Sequence, residues 1–189
     1  RRVLFRSFVS APSANTSGRP SPTTAEHVIH DLNGKIDMVI DGGAVDIGVE
    51  STILDMTVSP PMILRPGAVT AEMFAEVIGP VDVDRTILDA ESGVRPKAPG
   101  MKYRHYAPKA RLMIVEGDIR EEILAIRQLA YAAHRRKKKI GIIATSETLP
   151  FYNYGIIKNA GTRENEKTIA RNLYRVLREF DQEDRKSVV

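Results

Sequence analysis

The chain has 189 residues, a net charge of +4 and no cysteine, which excludes disulfides, thiolate metal sites and cysteine nucleophiles. Hydrophobic residues make up 42% and charged residues 28%, a balance that fits a soluble globular protein of one large or two small domains. No run of about 18 apolar residues occurs, so no transmembrane helix is expected. Arg1, Arg2 and Arg6 surround too short an apolar patch for a signal peptide, and a cytoplasmic location is the expectation.

In chain order, residues 10–22 form a loop with three prolines, one glycine and five serine or threonine residues. Thr23 with Glu26 reads as a capping box, opening a helix whose apolar face is Val28, Ile29 and Leu32 and which Asn33-Gly34 closes. Residues 36–40 and 49–56 read as strands on either side of the Asp41-Gly42-Gly43 turn. Pro60-Pro61 breaks the chain before a short strand over 62–64. Thr70 caps a helix that runs to Ile78 and stops at Gly79-Pro80. Residues 89–109 carry no regular pattern and read as a linker that also touches ligand. Then come a strand over 111–115, a helix with Ile119, Ile123, Ile126 and Leu129 on one face, a strand over 140–144 and a strong helix over 164–180. Strand, helix, strand, helix predicts a small α/β unit with a parallel sheet.

Four stretches carry chemistry. The first, S-A-P-S-A-N-T-S-G-R-P-S-P-T over residues 10–23, presents backbone N–H groups and hydroxyls ahead of a helix N-terminus. These donors suit phosphate or carboxylate oxygens, although an ordinary Ser/Pro connection has the same composition. The second, residues 41–55, sets three glycines before Glu50-Ser51-Thr52, which fits either close backbone approach to a small ligand or a glycine-rich hairpin. The third is Leu64-Arg65-Pro66-Gly67, an arginine leaving a strand into a turn, placed for a phosphate or for a surface ion pair. The fourth, A-P-G-M-K-Y-R-H-Y-A-P over residues 98–108, offers two tyrosines, a histidine and two cations for stacking on a base and meeting phosphates. No Walker loop, dinucleotide fingerprint or nucleophile elbow occurs. His27 and His30 lie three apart on a helix, but no third ligand is placed to complete a metal site. The basic run 135–139 reads as a solvated helix end or, alternatively, a nucleic-acid patch; no aromatic residue interleaves with it.

In their order and spacing these four stretches resemble the threonylcarbamoyl-AMP synthase family in its two-domain form, strongly over residues 11–110 and more weakly beyond. The resemblance implies an α/β fold: the C-terminal part of a YrdC-like open twisted sheet over 1–88, the linker over 89–109, and an incomplete Rossmann-like domain over 110–189. It implies a nucleotidyltransferase that joins L-threonine, bicarbonate and ATP into threonylcarbamoyl-AMP, which a separate transferase complex then delivers to tRNA. Mg²⁺ is expected to travel with ATP, with no metal ligand from the protein. Residue by residue, Ser13, Ser21 and Arg65 would bind ATP, with Tyr103 or Tyr106 closing over the nucleotide. Ala11, Ser51 and Thr52 would line the threonine pocket, and Asn15 and Ser17 would support the loop. No residue is assigned as a covalent catalyst. The family's N-terminal Lys-x-Arg pair has no counterpart before Ser10, so the chain reads as an N-terminally truncated fragment with weak binding and little activity. The alternative is a non-catalytic RNA- or nucleotide-binding module that uses the basic run, with weak RNA binding.

Overall fold

The computed structural model describes residues 12–84, 108–183 and 187–188. Ala11, Tyr103, Tyr106 and nearly all of the expected linker lie outside the described residues.

The first block begins with the loop ahead of α1 (Ala25–Leu32). Three strands follow: β1 (Ile53–Asp55), β2 (Met62–Arg65) and β3 (Asp82–Val83), with α2 (Ala71–Ile78) between the last two. β1 and β2 are antiparallel, while β3 joins β2 in parallel after the α2 crossover. The Ser59–Pro60 peptide in the β1–β2 connection is cis. α2 starts where the sequence places it, because Thr70 accepts a hydrogen bond from the Met73 N–H, one of the donors that a helix start leaves unpaired. Gly79, at φ 84°, ends it in a left-handed conformation that glycine adopts without a Cβ penalty.

Two expectations fail in this block. Residues 36–40 form no strand, and Ile36, Met38 and Ile40 are exposed. Alternating apolar residues specify a strand only when a neighbour completes the hydrogen-bond ladder, and no strand among the described residues pairs with them. The capping box is also absent. Thr23 is buried and turns its N–H and hydroxyl to His27 Nδ1, each at 3.2 Å. The helix therefore starts one residue later, with Thr24 at the N-cap and no side-chain cap.

The second block consists of β4 (Arg111–Leu112), α3 (Ile119–Arg135), β5 (Gly141–Thr145), β6 (Ile156–Gly161), α4 (Glu166–Gln182) and β7 (Ser187–Val188). Its four strands lie in the order β4-β7-β5-β6, all paired in parallel. The α/β class is therefore as expected, although β6 and β7 were not read from the sequence. β5 is a continuous apolar run, as a strand covered on both faces should be. Ile142 and Ala144 pack with Ala130 of α3, while Ile143 packs with Val176 and Phe180 of α4. Alternation along one strand thus divides two cores between two helices. Gly141 is required there: a Cβ on it would lie 2.5 Å from the Phe180 ring.

The two blocks are in contact. Arg178 of α4 is buried against α1 and the preceding loop, and Gly48 lies against the α4 backbone at Ala170 and Arg171.

Candidate functional site

The loop over residues 13–21 is held by its own polar groups. The Ser13 hydroxyl donates to Asn15 Oδ1, and Asn15 Nδ2 donates to the carbonyls of Thr16 and Arg19, each at 3.1 Å. These bonds hold Ala14 at φ 56°, a left-handed conformation that costs a non-glycine residue on the order of 1 kcal/mol. Asn15 is thus bonded on both sides within the loop. No hydrogen bond is described for the Ser17 side chain.

Under the loop sits Asp31, at the C-terminal end of α1, with a side chain fully shielded from solvent. Its Oδ2 accepts the Thr16 N–H at 3.2 Å, and its Oδ1 accepts Arg19 Nη1 at 3.0 Å. Arg178 completes the arrangement, donating Nη2 to Asp31 Oδ2 at 2.8 Å and Nε to the Pro20 carbonyl at 2.9 Å. Burial pushes the Asp31 carboxyl up, but the hydrogen bonds from Arg178, His30 and Thr16 outweigh it and hold the group well below the usual carboxylate range. Asp31 is therefore a permanent anion at neutral pH.

A second cluster forms where the loop meets the β1–β2 end of the sheet. Ser21 donates its hydroxyl to Glu50 Oε1. Arg65, the last residue of β2, donates Nε to the Ser51 carbonyl at 3.0 Å and Nη2 to the Ser51 hydroxyl at 3.1 Å, with Glu50 Oε2 at 3.7 Å. Three of the sequence-predicted residues, Ser21, Ser51 and Arg65, are thereby brought together, and Glu50 links them. The register places Arg65 opposite Ile53, just beyond Ser51, which is why the guanidinium reaches it. Thr52 lies beside them. Its hydroxyl donates to the Val69 carbonyl at 2.7 Å and accepts the Val69 N–H at 3.2 Å, closing the turn after β2. Gly67 completes the fit, since a Cβ there would lie 2.4 Å from both the Glu50 carbonyl and the Thr52 nitrogen.

This cluster offers a hydroxyl, a carboxylate and a guanidinium around a close-packed backbone. Such a set can bind a zwitterion or an anion with a hydroxyl group. Among the described residues no group of three His, Cys, Asp or Glu is placed to hold a metal, and His27 is buried against Thr23 while His30 faces Asp31. No helix among the described residues is long and apolar enough to cross a membrane.

Asp31, Arg19, Glu50 and Arg178 were missed as site residues. The spacing between Thr16 and Asp31 gives no local signal, and Arg178 lies far along the chain on what reads as the polar side of a helix.

The chain is similar to known proteins in sequence and in fold. A family model described as threonylcarbamoyl-AMP synthase, C-terminal domain, matches residues 69–189, and one described as telomere recombination matches residues 2–67. Curated relatives called threonylcarbamoyl-AMP synthase include one from Bacillus subtilis, 44% identical over 92% of this chain and 49% of its own length, and one from Pyrococcus abyssi, 43% identical over 92% and 49%. A crystal structure of P. abyssi Sua5 complexed with L-threonine superposes with a TM-score of 0.82 at 39% identity, covering 94% of this chain and 50% of that one. The chain spans about half the length of the curated relatives it matches. With the fold, the motif order and the model over its larger part in agreement, the chain belongs to the threonylcarbamoyl-AMP synthase family.

Proposed function

We propose that this chain supplies the phosphate-facing loop and the threonine-facing strand end of a site that makes threonylcarbamoyl-AMP for tRNA modification. The observation that carries the reading is the convergence of Ser21, Glu50, Ser51 and Arg65 at one end of the sheet. The threonine bound in the P. abyssi structure supports the choice of substrate.

In this reading the threonine nitrogen combines with bicarbonate to give a carbamate, with loss of water. A carbamate oxygen then attacks the α-phosphorus of ATP, a new P–O bond forms and pyrophosphate leaves. Such a transfer needs positioning and positive charge rather than a covalent nucleophile. Arg65 and the backbone donors of the 13–21 loop meet phosphate oxygens, and Ser13 and Ser21 add hydroxyl donors. Ser51 and the Ala11 backbone face threonine, Thr52 holds the turn that shapes that pocket, and Tyr103 or Tyr106 covers the nucleotide. Mg²⁺ arrives on the ATP phosphates. The product passes to a separate tRNA-modifying transferase.

The test is pyrophosphate release from Mg-ATP, measured on this chain alone and on this chain preceded by the first half of the B. subtilis relative. The fused protein is expected to release pyrophosphate only with both L-threonine and bicarbonate present. Release that ignores threonine would sink the reading.

A second reading, RNA or nucleotide binding without catalysis, has one observation in its favour. Tyr131 and His134 of α3 lie beside the basic run, with Tyr154 at ring-centroid distances of 5.6 and 4.8 Å from them, so folding supplies the aromatic rings that the run lacks in sequence. The relatives favour the catalytic reading.

A further inference from the structure

The buried pair Arg178–Asp31 joins the two blocks at one place, directly under the loop over residues 13–21. Asp31 comes from α1 and Arg178 from α4, separated by 147 residues in sequence. The side chain of Asp31 is 0% exposed and that of Arg178 is 6% exposed. The guanidinium does more than neutralise the carboxylate. Its Nε and Nη2 donate to the Pro20 carbonyl, while Nη1 and Nη2 reach both oxygens of Asp31. Pro20 is itself fully buried and precedes Ser21. Asp31 in turn holds the Thr16 N–H and Arg19. One side chain of the second block therefore fixes one end of the loop directly and its middle through Asp31.

A buried ion pair is weak evidence of stabilisation, because desolvation offsets most of the attraction. Its geometry is another matter: a planar fork bonded to a carboxylate and a carbonyl specifies one arrangement of three chain segments. Without Arg178, the Pro20 carbonyl loses a buried donor and the Asp31 carboxylate keeps, among its side-chain partners, only groups that are partly in solvent, Arg19 at 31% and His30 at 50% exposure. The loop then has no fixed floor.

We infer that Arg178 is a positioning residue for the nucleotide: from the second block it sets the shape of the Ser13–Ser21 loop, so that ATP capture depends on the docking of α4. The inference rests on the reading of that loop as the ATP-binding segment given above.

The test compares R178K, R178M and the paired replacement R178M/D31L with the unsubstituted chain, alone and fused as above. Amide hydrogen exchange of residues 13–21, thermal melting, and direct binding of ATP and of L-threonine are measured. In R178M the Thr16 amide is expected to lose protection while β5 and α3 keep theirs. ATP affinity should fall roughly tenfold or more, a size set by lost charge-assisted hydrogen bonds, and threonine affinity should stay within about twofold. R178K, which retains the charge without the fork, should recover the melting temperature and only part of the loop protection. R178M/D31L removes both buried charges and should recover melting temperature but not ATP affinity. The inference is overturned if exchange in the loop is unchanged in R178M. It is also overturned if ATP and threonine affinities fall together in step with stability, or if the paired replacement restores ATP affinity; each marks a merely structural pair. If the fused protein releases no pyrophosphate with threonine while ATP affinity still follows loop exchange, the functional reading fails and the positioning role stands.

Discussion

Gly67 has no room for a side chain, because a Cβ would press at 2.4 Å on the backbone of both Glu50 and Thr52. G67A must therefore push β1 and the turn after β2 apart, breaking the Arg65–Ser51 bonds. A loss of about 1–3 kcal/mol is expected, the usual cost of overpacking, read as a lower urea midpoint, together with weaker threonine binding. His27 gives a prediction in pH. Burial lowers its pKa, the nearby Arg178 cation lowers it further, and Asp31, Glu179 and Glu26 oppose this. A folded value below the unfolded value of about 6.5 means that the unfolded chain takes up the proton first as pH falls. The stability linked to His27 is thus complete above about pH 6.5 and is lost progressively below it. The melting temperature should drop as pH falls below that value, and H27Q should flatten the drop; an unchanged slope in H27Q would refute the assignment. At this scale the sequence made Ser21, Ser51 and Arg65 readable, because each sits in a short stretch whose neighbours declare a turn or strand end. It could not make Asp31 or Arg178 readable, since their meaning lies in a contact across 147 residues.

Elements with their own amphipathic period were legible. α3 and α4 form over nearly the predicted residues because i, i+3 and i+4 apolar spacing specifies a helix face without reference to anything distant. Strands were less so. β6 (Ile156–Gly161) pairs with β5 along its whole length at the end of the described second sheet, yet only its first residues are apolar and Lys158 and Asn159 disguise it. Lys158 fits there because it pairs with Glu179 at 2.9 Å and Glu183 at 2.8 Å. The segment over 36–40 has the opposite fault, a strand pattern without a ladder. The β5–α4 packing supplies a prediction. Phe180 is fully buried on the Gly141 side of the sheet, so F180A should cost about 3–5 kcal/mol. G141A should also destabilise, and the two effects should not add, because removing the ring opens the space that the new methyl needs. Equilibrium denaturation of both single variants and the double variant measures this, and strict additivity would contradict the contact. The basic run at the end of α3 is exposed. Replacing Arg135, Arg136, Lys137, Lys138 and Lys139 with Gln should leave threonine-dependent pyrophosphate release unchanged in the fused protein. It should abolish any salt-sensitive RNA binding.

For the whole molecule, the two sheets fall on either side of the interruption visible in the sequence, but the contact between the blocks was not legible, because the seam is built from backbone and a buried ion pair rather than from an apolar face. Gly48 shows why. It is buried, and a Cβ on it would lie 2.1 Å from the Arg171 carbonyl oxygen and 3.0 Å from that of Ala170. Here the loop leading into the Glu50-Ser51 strand end lies directly on α4, so the second block touches both halves of the proposed site, through Arg178 at the phosphate-facing loop and through Gly48 near the threonine-facing strand. A side chain at this position cannot be absorbed by a rotamer change, since both obstacles are helix backbone; α4 or the 46–50 segment must move. The cores of the second block, around Ile142 and around Phe180, use no residue of the first, so separation should leave that block folded. G48A is therefore expected to convert one thermal transition into two, the later one at nearly the original temperature, and to raise amide exchange at Thr16 without touching β5. G42A is the control, because a Cβ there meets nothing within 4 Å. If G48A melts in a single transition like G42A, the seam is not a cooperative contact, and nucleotide capture would not depend on the docking of α4.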